Sequence, residues 1–188
     1  MRHLALSILL LAVATGTPAA AQEAPVWRVE HQASSLVFLF TQSGSETKGR
    51  FGTWSAEIAF DPEDLANSAV AVTIDLASAD TGSGDRDQLL RSAPLFDVAN
   101  HPQGRFVSTE IVAAGEGYEA RGELTLRGVT RQVVLPFVLE IEDERAEAEG
   151  RLEIRRLDYG IGQGQWQDTS MVADPVAILF ELRAERLD

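Results

Sequence analysis

Four charged residues have the types and positions that could support chemistry. Arg86, Asp87 and Arg91 lie together in residues 84–92, where a carboxylate beside arginines could serve acid–base catalysis. Arg156 follows a run of alternating residues that places it at the end of an apolar interior. A buried cation there needs an anion or several acceptors. A ligand head group, such as a phosphate or a quinone carbonyl, would meet that need.

Each of these charges also has a structural explanation that the sequence leaves open. The 84–92 segment is more simply a capped helix that makes salt bridges to strands. Arg156 could pair with Asp87 or Asp75, or it could point into solvent. An enzyme that modifies a lipid with Asp87, Asp75 and Arg156 is one alternative function. A second is a structural or stress partner of a membrane protein, with a filled barrel and no ligand. No nucleophile, metal cluster or cofactor loop accompanies these residues, so we expect no catalytic residue.

Thiol and metal chemistry have no support in the sequence. The chain contains no cysteine, which excludes thiol catalysis and disulfides. His31 and His101 lie about seventy residues apart and have no ligand spacing around them. We therefore expect no metal site and no covalently attached cofactor.

The N-terminal residues predict export. Arg2 precedes an apolar run over residues 4–13, which is too short to span a bilayer, and residues 19–21 are all alanine. This pattern is typical of a signal peptide cleaved after Ala21, so we expect a periplasmic protein. Residues 22–188 then form a single domain.

The chain is acidic, with a formal net charge of −13 that becomes one unit more negative when Arg2 is removed. This charge argues against nucleic acid as a partner and against simple adsorption to anionic membranes. The sequence leaves a homodimer open.

Alternation with a period of two recurs along the rest of the chain and predicts an all-β protein. Long antiparallel strands with one dry face favour a barrel of about eight strands over a sandwich. One short helix is expected near residues 84–92, stopped by Pro94. Pro136 indicates an edge or a bulge. The expected strands are residues 27–31, 36–41, 48–60, 70–76, 103–113, 118–127, 132–141, 146–155 and 176–185.

The inward phases of these strands combine large apolar residues with very small ones. The small residues are Ala120, Gly122, Ala146, Ala148 and Gly150, and they either leave space or fit a tapered end of the barrel. The first interpretation predicts an elongated apolar tunnel with head-group candidates Arg86, Asp87, Arg91 and Arg156. The residues expected to line it are Phe38, Phe40, Trp54, Phe96, Phe106, Leu126, Phe137, Ile178 and Phe180.

Motifs in a shared order over about 150 residues resemble the YceI-like family. The segments that carry the resemblance are Trp27-Arg28-Val29, Ser34 to Phe38, Gly49-Arg50-Phe51, Val72 to Asp75 with Ala77 to Gly82, Arg86 to Leu90, Leu95 to Val98 with Pro102 and Phe106, Gly122 to Thr130, and Ile154 to Gly160.

The resemblance implies a periplasmic, lipocalin-like barrel that binds a polyisoprenoid lipid without covalent attachment. Two departures stand out: Gln42-Ser43-Gly44 replaces a His-x-Gly of the family, and Leu95-Phe96 replaces a paired Phe. The Thr41 to Gly44 variant and Phe60-Asp61-Pro62 resemble a branch associated with di-haem cytochrome b membrane proteins. That branch implies ubiquinone as the ligand and a cytochrome b-type neighbour.

Overall fold

The computed structural model describes residues 24–187, which form eleven β-strands and one α-helix. The expected signal peptide, residues 1–21, lies outside the described residues. Within 24–187 no helix is both long enough and apolar enough to cross a membrane. The strands are β1 Val26–Val29, β2 Ser35–Gln42, β3 Ser45–Phe51, β4 Trp54–Ala59, β5 Ala69–Asp75, β6 Ala79–Asp80, β7 Gln103–Ala114, β8 Gly117–Leu126, β9 Val129–Glu142, β10 Arg145–Arg155 and β11 Val172–Arg186, and the helix is α1 Gly84–Arg91.

Eight antiparallel strands close into a barrel in the order β1, β4, β5, β7, β8, β9, β10 and β11. The ring closes because the C-terminal part of β11 pairs with β1, where Trp27 lies opposite Arg186. The N-terminal part of β11 pairs with β2, which carries β3 and β6 as an extension. The predicted all-β, antiparallel, lipocalin-like barrel with one short helix is confirmed.

Residues 48–60 form two strands, so the prediction of one long strand there is wrong. Gly52 and Thr53 interrupt it by turning their backbone groups out of the ladder. The Gly52 N–H donates to the Ser78 carbonyl at 3.2 Å, and the Thr53 carbonyl accepts from the Asp75 N–H at 3.0 Å. The chain therefore bends sharply between β3 and β4.

Two inward glycines do not leave the free space that the sequence suggested. Gly122 faces an irregularity in β7, where the register shifts between Ser108 and Glu110. An added Cβ at Gly122 would lie 2.2 Å from the Val107 carbonyl oxygen, so the glycine accommodates the bulge. At Gly150 the ring of Phe180 occupies the position of the missing side chain, 2.5 Å from an added Cβ.

We predict that Gly122→Ala destabilises the barrel by about 1–3 kcal/mol. The added methyl group would clash with backbone atoms, which cannot move aside as a side chain can by changing its rotamer. Equilibrium urea unfolding measures this change. Gly84→Ala is the control, because an added Cβ there meets nothing within 4 Å and alanine favours the helix. An equal effect of both variants would contradict the role of the bulge.

Candidate functional site

The interior of the barrel contains two adjoining cavities that meet at Ile74, Leu124 and Ile178, three residues that contribute to both walls. The first lies beneath α1 and is here called the mouth chamber, with a volume of about 110 Å³. The second is called the deep chamber, with a volume of about 160 Å³. We call the two adjoining chambers together the passage.

The deep chamber is lined entirely by apolar residues. Ala120, Ala146 and Ala148 form part of its wall, so these three small residues leave space as the first interpretation of the sequence expected. Its far end is closed by the buried side chains of Trp27 and Phe60, whose contact is fixed by a 2.9 Å hydrogen bond from Trp27 Nε1 to the Phe60 carbonyl. A ligand in this chamber therefore meets only hydrocarbon.

The structure places all nine predicted tunnel residues on the walls of these two chambers. Strand alternation located eight of them because inward residues recur at every second position, whereas Phe96 lies in the turn after α1. Phe38, Phe40, Phe96 and Leu126 line the mouth chamber; Trp54, Phe106, Phe137 and Phe180 line the deep chamber; Ile178 lines both.

Several mouth residues were not predicted as ligand-binding. Leu89 and Leu90 of α1 form its cover, while Trp166 and Gln42 complete the rim. Trp166 lies in a 3-10 turn over Gly164–Gln167, in a stretch without periodicity. An irregular segment offers no alternation from which an inward position could be deduced.

Arg156 is buried at the base of the mouth chamber, with 4% of its surface exposed, in a 3-10 turn just after β10. Four backbone carbonyls accept its hydrogen bonds. Nε donates to Ala173 at 3.0 Å, Nη1 to Ile161 at 3.0 Å and to Trp166 at 2.8 Å, and Nη2 to Val172 at 2.8 Å. These bonds use all but one of the guanidinium N–H donors.

The structure contradicts both structural explanations considered for Arg156, solvent exposure and an internal ion pair. It neither points into solvent nor pairs with Asp75 or Asp87, because it forms no salt bridge with any carboxylate in residues 24–187. Burial lowers the pKa of Arg156 from its ordinary value, and the nearby charge of Asp174 opposes this shift. The side chain stays cationic because arginine does not deprotonate in proteins.

Gly162 is required beside this guanidinium. Its φ of +123° is rarely adopted by other residues, and an added Cβ would lie 1.9 Å from Arg156 Nη1. Through its four hydrogen bonds, Arg156 joins the segment that follows β10 to the start of β11. This makes Arg156 a structural clamp that also brings positive charge to the chamber.

Arg86 is the charged side chain that projects from α1 into the mouth chamber. Its Nε donates to Thr81 Oγ1 at 2.9 Å, and Nη1 reaches Gln42 Oε1 at 3.3 Å. Thr81 in turn donates through its backbone N–H and its hydroxyl to Asp87, at 2.8 and 2.6 Å. Asp87 thus positions Arg86 through Thr81, and Arg86 retains N–H donors for a ligand.

Two of the four head-group candidates do not line either chamber. Asp87 is the buried residue of α1, and its carboxylate accepts hydrogen bonds from Thr81. Arg91 donates to the backbone carbonyls of Ala77 and Ala79 at 2.8 and 3.2 Å and holds the helix against β6. The sequence could not show which of these charged residues face the barrel interior, because that depends on how α1 is oriented over the barrel.

The residues of the alternative enzyme are not assembled into one site. Asp75 accepts a hydrogen bond from the Ala77 N–H at 2.9 Å and caps a 3-10 turn, and neither Asp75 nor Asp87 reaches a chamber wall. In the part of the chain that the structure describes, no group of three or more His, Cys, Asp or Glu is placed to hold a metal ion.

A closed antiparallel barrel with an apolar interior and a cationic rim defines a lipocalin-like binding protein. A model described as the YceI-like domain matches residues 27–184, so the chain belongs to the YceI-like family. A UPF0312 protein of Vibrio parahaemolyticus is 34% identical over 160 residues, covering 80% of this chain and 85% of the relative. A UPF0312 protein of Vibrio cholerae is 36% identical over 124 residues, covering 62% of this chain and 66% of the relative, just under two thirds.

Solved structures show the same fold. Burkholderia cenocepacia BcnA superimposes with a TM-score of 0.80 at 34% identity, covering 83% of this chain and 99% of that one. The Campylobacter jejuni YCEI protein gives a TM-score of 0.70 at 25% identity, covering 77% of this chain and 87% of that one. A polyisoprenoid binding domain from Saccharophagus degradans gives a TM-score of 0.67 at 19% identity, covering 87% of this chain and 99% of that one.

We predict that Arg156→Met lowers the free energy of unfolding of the ligand-free protein by about 2–4 kcal/mol, because it leaves four carbonyls without donors. Urea unfolding of delipidated protein measures the change. Arg155→Met is the matched control, since the side chain of Arg155 is 71% exposed and its 3.5 Å ion pair with Asp174 adds little. An unchanged stability for Arg156→Met would show that Arg156 is not a clamp.

Proposed function

We propose that this protein is a periplasmic binding or carrier protein that holds a long isoprenoid lipid, ubiquinone or polyprenyl phosphate, in the barrel. One observation carries the proposal: the passage is apolar along its length and has polar side chains only at its mouth, namely Gln42, Arg86 and Arg156. An amphipathic molecule with one polar end and a hydrocarbon chain matches this distribution.

The similarity to solved structures supports the same ligand class. The Saccharophagus degradans neighbour is a polyisoprenoid binding domain, and its barrel shares the architecture described above. The family relationship favours binding over catalysis for this chain as well. In our proposal the non-covalent lipid is cargo, and Asp75 and Asp87 hold the backbone and Arg86 in place.

The cellular setting is part of this proposal. The pattern of residues 1–21 supports export to the periplasm, and the resemblance to the cytochrome-associated branch supports a cytochrome b-type membrane protein as an electron-transfer neighbour. In that setting the carrier would hold ubiquinone. A homodimer is compatible with the chain, and gel filtration with light scattering would measure its molar mass.

Mass spectrometry of an organic extract tests the proposal. Protein purified from a bacterial host is expected to release a molecule of isoprenoid mass, and delipidated protein is expected to take up added decaprenyl quinone. An empty extract together with no uptake would refute the proposal. Extraction at a mild pH keeps the quinone or the phosphate ester intact for identification.

We predict that Ala148→Leu weakens binding of decaprenyl quinone about tenfold or more, because it fills the deep chamber. Tryptophan fluorescence titration measures the affinity. Ala69→Leu serves as the control, since Ala69 is exposed on β5 in the opposite phase from the inward Val70. Equal affinities of the two variants for the quinone would show that its isoprenoid chain lies outside the deep chamber.

Arg86→Gln distinguishes the two head groups. For polyprenyl phosphate we predict a loss of about tenfold or more, which shrinks as salt is raised, since the variant removes a charge-assisted contact. For ubiquinone the loss is expected to be smaller and independent of salt, because the quinone carbonyl is neutral. The same loss of affinity for both ligands would show that the charge of Arg86 does not distinguish the two head groups.

A further inference from the structure

One interface of the barrel wall is incomplete. The ladder between β9 and β10 runs from Arg145 opposite Glu142 to Gly150 opposite Phe137, and there it stops. The remainder of β10 pairs only with β11, and the remainder of β9 pairs only with β8. We call this interval between residues 129–136 and 151–155 the seam.

Pro136 explains where the ladder ends. An added Cβ at Gly150 would lie 2.7 Å from the Pro136 carbonyl oxygen, so the carbonyl of Pro136 faces β10. In a strand the nitrogen of the same residue faces the same neighbour, and a proline nitrogen has no hydrogen to donate. The sequence expected an edge or a bulge at this proline, and the seam is such an edge inside the ring.

The lower end of the seam is closed by a different contact. Arg131 donates through Nε and Nη2 to the Asp158 carbonyl, both at 3.2 Å, and so ties β9 to the turn that follows β10. Between this tie and Pro136, the inward side chains of Leu135 and Leu152 line the deep chamber. A hydrocarbon chain passing between them would break no ladder hydrogen bond.

Apolar surface continues on the outside of the wall at the upper end of the seam. A shallow groove there has a volume of about 420 Å³ and shares Phe137 and Phe180 with the deep chamber. Its floor includes Pro136 and Val138, and the charged residues Glu149, Arg151 and Glu181 also line it. Val134 and Val138 are 46% and 48% exposed, on the outer phase of β9. These residues lie beside the passage rather than scattered over the surface.

The two chambers are small compared with a long isoprenoid chain. A cavity of about 150 Å³ holds a guest of the size of benzene, so each chamber as it stands has room for about one isoprene unit. The axial route beyond the deep chamber is closed, because Phe60 packs against Tyr118 and Phe137 with ring centroids 5.3 and 6.3 Å apart. A longer chain that enters at the mouth has the seam as its route out.

We propose that the seam is a lateral portal, and that the distal part of a long isoprenoid chain leaves the barrel between β9 and β10 and lies in the outer groove along Pro136 and Val138. This inference rests on the proposed lipid-binding function and adds a second binding surface to it. The mouth then holds the head group, the two chambers hold the first isoprene units, and the groove holds the following ones.

The first test compares a geranyl and a decaprenyl quinone, which share one head group. Val138→Lys places an ammonium group beside Glu149, its cross-strand partner, so the fold is expected to persist. This variant should weaken binding of the decaprenyl quinone by about tenfold and leave the geranyl quinone unchanged. Val26→Lys is the matched control, because Val26 is 50% exposed on β1, away from the seam.

Each outcome bears on a different statement. If neither quinone binds the wild-type protein, the proposed function fails. If both quinones bind and Val138→Lys behaves like Val26→Lys for the long chain, the portal is refuted while the lipid-binding function stands. An equal loss for both chain lengths also refutes it, because the variant would then act on the interior.

A second measurement locates the chain directly. A decaprenyl quinone with a diazirine at its distal end is photolysed in the complex, and labelled peptides are identified by mass spectrometry. The portal predicts labels on residues 134–138 and 149–151, whereas the geranyl analogue should label chamber residues only. Labels from the long chain that fall solely at Trp166 or elsewhere on the mouth would overturn the proposal.

Discussion

The pairing of β11 is the constraint on which the barrel depends. This strand forms an unbroken ladder with β10, while its two ends pair with β1 and β2 on the other side. Closure of a sheet removes its free edges, and here one strand supplies the closing contacts with the opposite end of the domain. The ladder between β10 and β11 runs without a break from Pro175 to Glu185, whereas the ladder between β9 and β10 stops next to Pro136.

Arg156 connects that closure to the mouth of the interior. Its guanidinium holds the carbonyls of Val172 and Ala173, at the start of β11, together with those of Ile161 and Trp166 in the preceding segment. A buried charge is costly without compensation, and oriented carbonyl dipoles provide it here in place of a carboxylate. The carbonyls leave the positive charge unneutralised, so the mouth chamber keeps a potential that favours negative or electron-rich ligand groups.

The inner face of the barrel was predictable from the sequence because side-chain alternation is a local property. Phe38, Phe106 and Ile178 could be assigned inward positions from their own strands, without knowledge of how the strands pair. The partners of Arg156 could not be predicted, because all four are main-chain carbonyls, which carry no sequence signal; two lie in the irregular segment before β11 and two at the start of β11. The break at Gly52 and the bulge opposite Gly122 depend on neighbouring strands, and alternation alone does not report on them.

Recognition in this site is divided between two kinds of interaction. Burial of hydrocarbon is not directional, so the deep chamber discriminates among chains by length and thickness rather than by chemical detail. Direction comes from the rim, where Asp87, Thr81, Arg86 and Gln42 form one hydrogen-bonded series that ends at the chamber. In the proposed function, a change at Gln42 or Arg86 would therefore alter the preferred head group while the barrel and its apolar chambers stayed the same. Relatives with a histidine in place of Gln42 would present a titratable donor at that point, so the rim is a part of this fold where ligand preference can diverge.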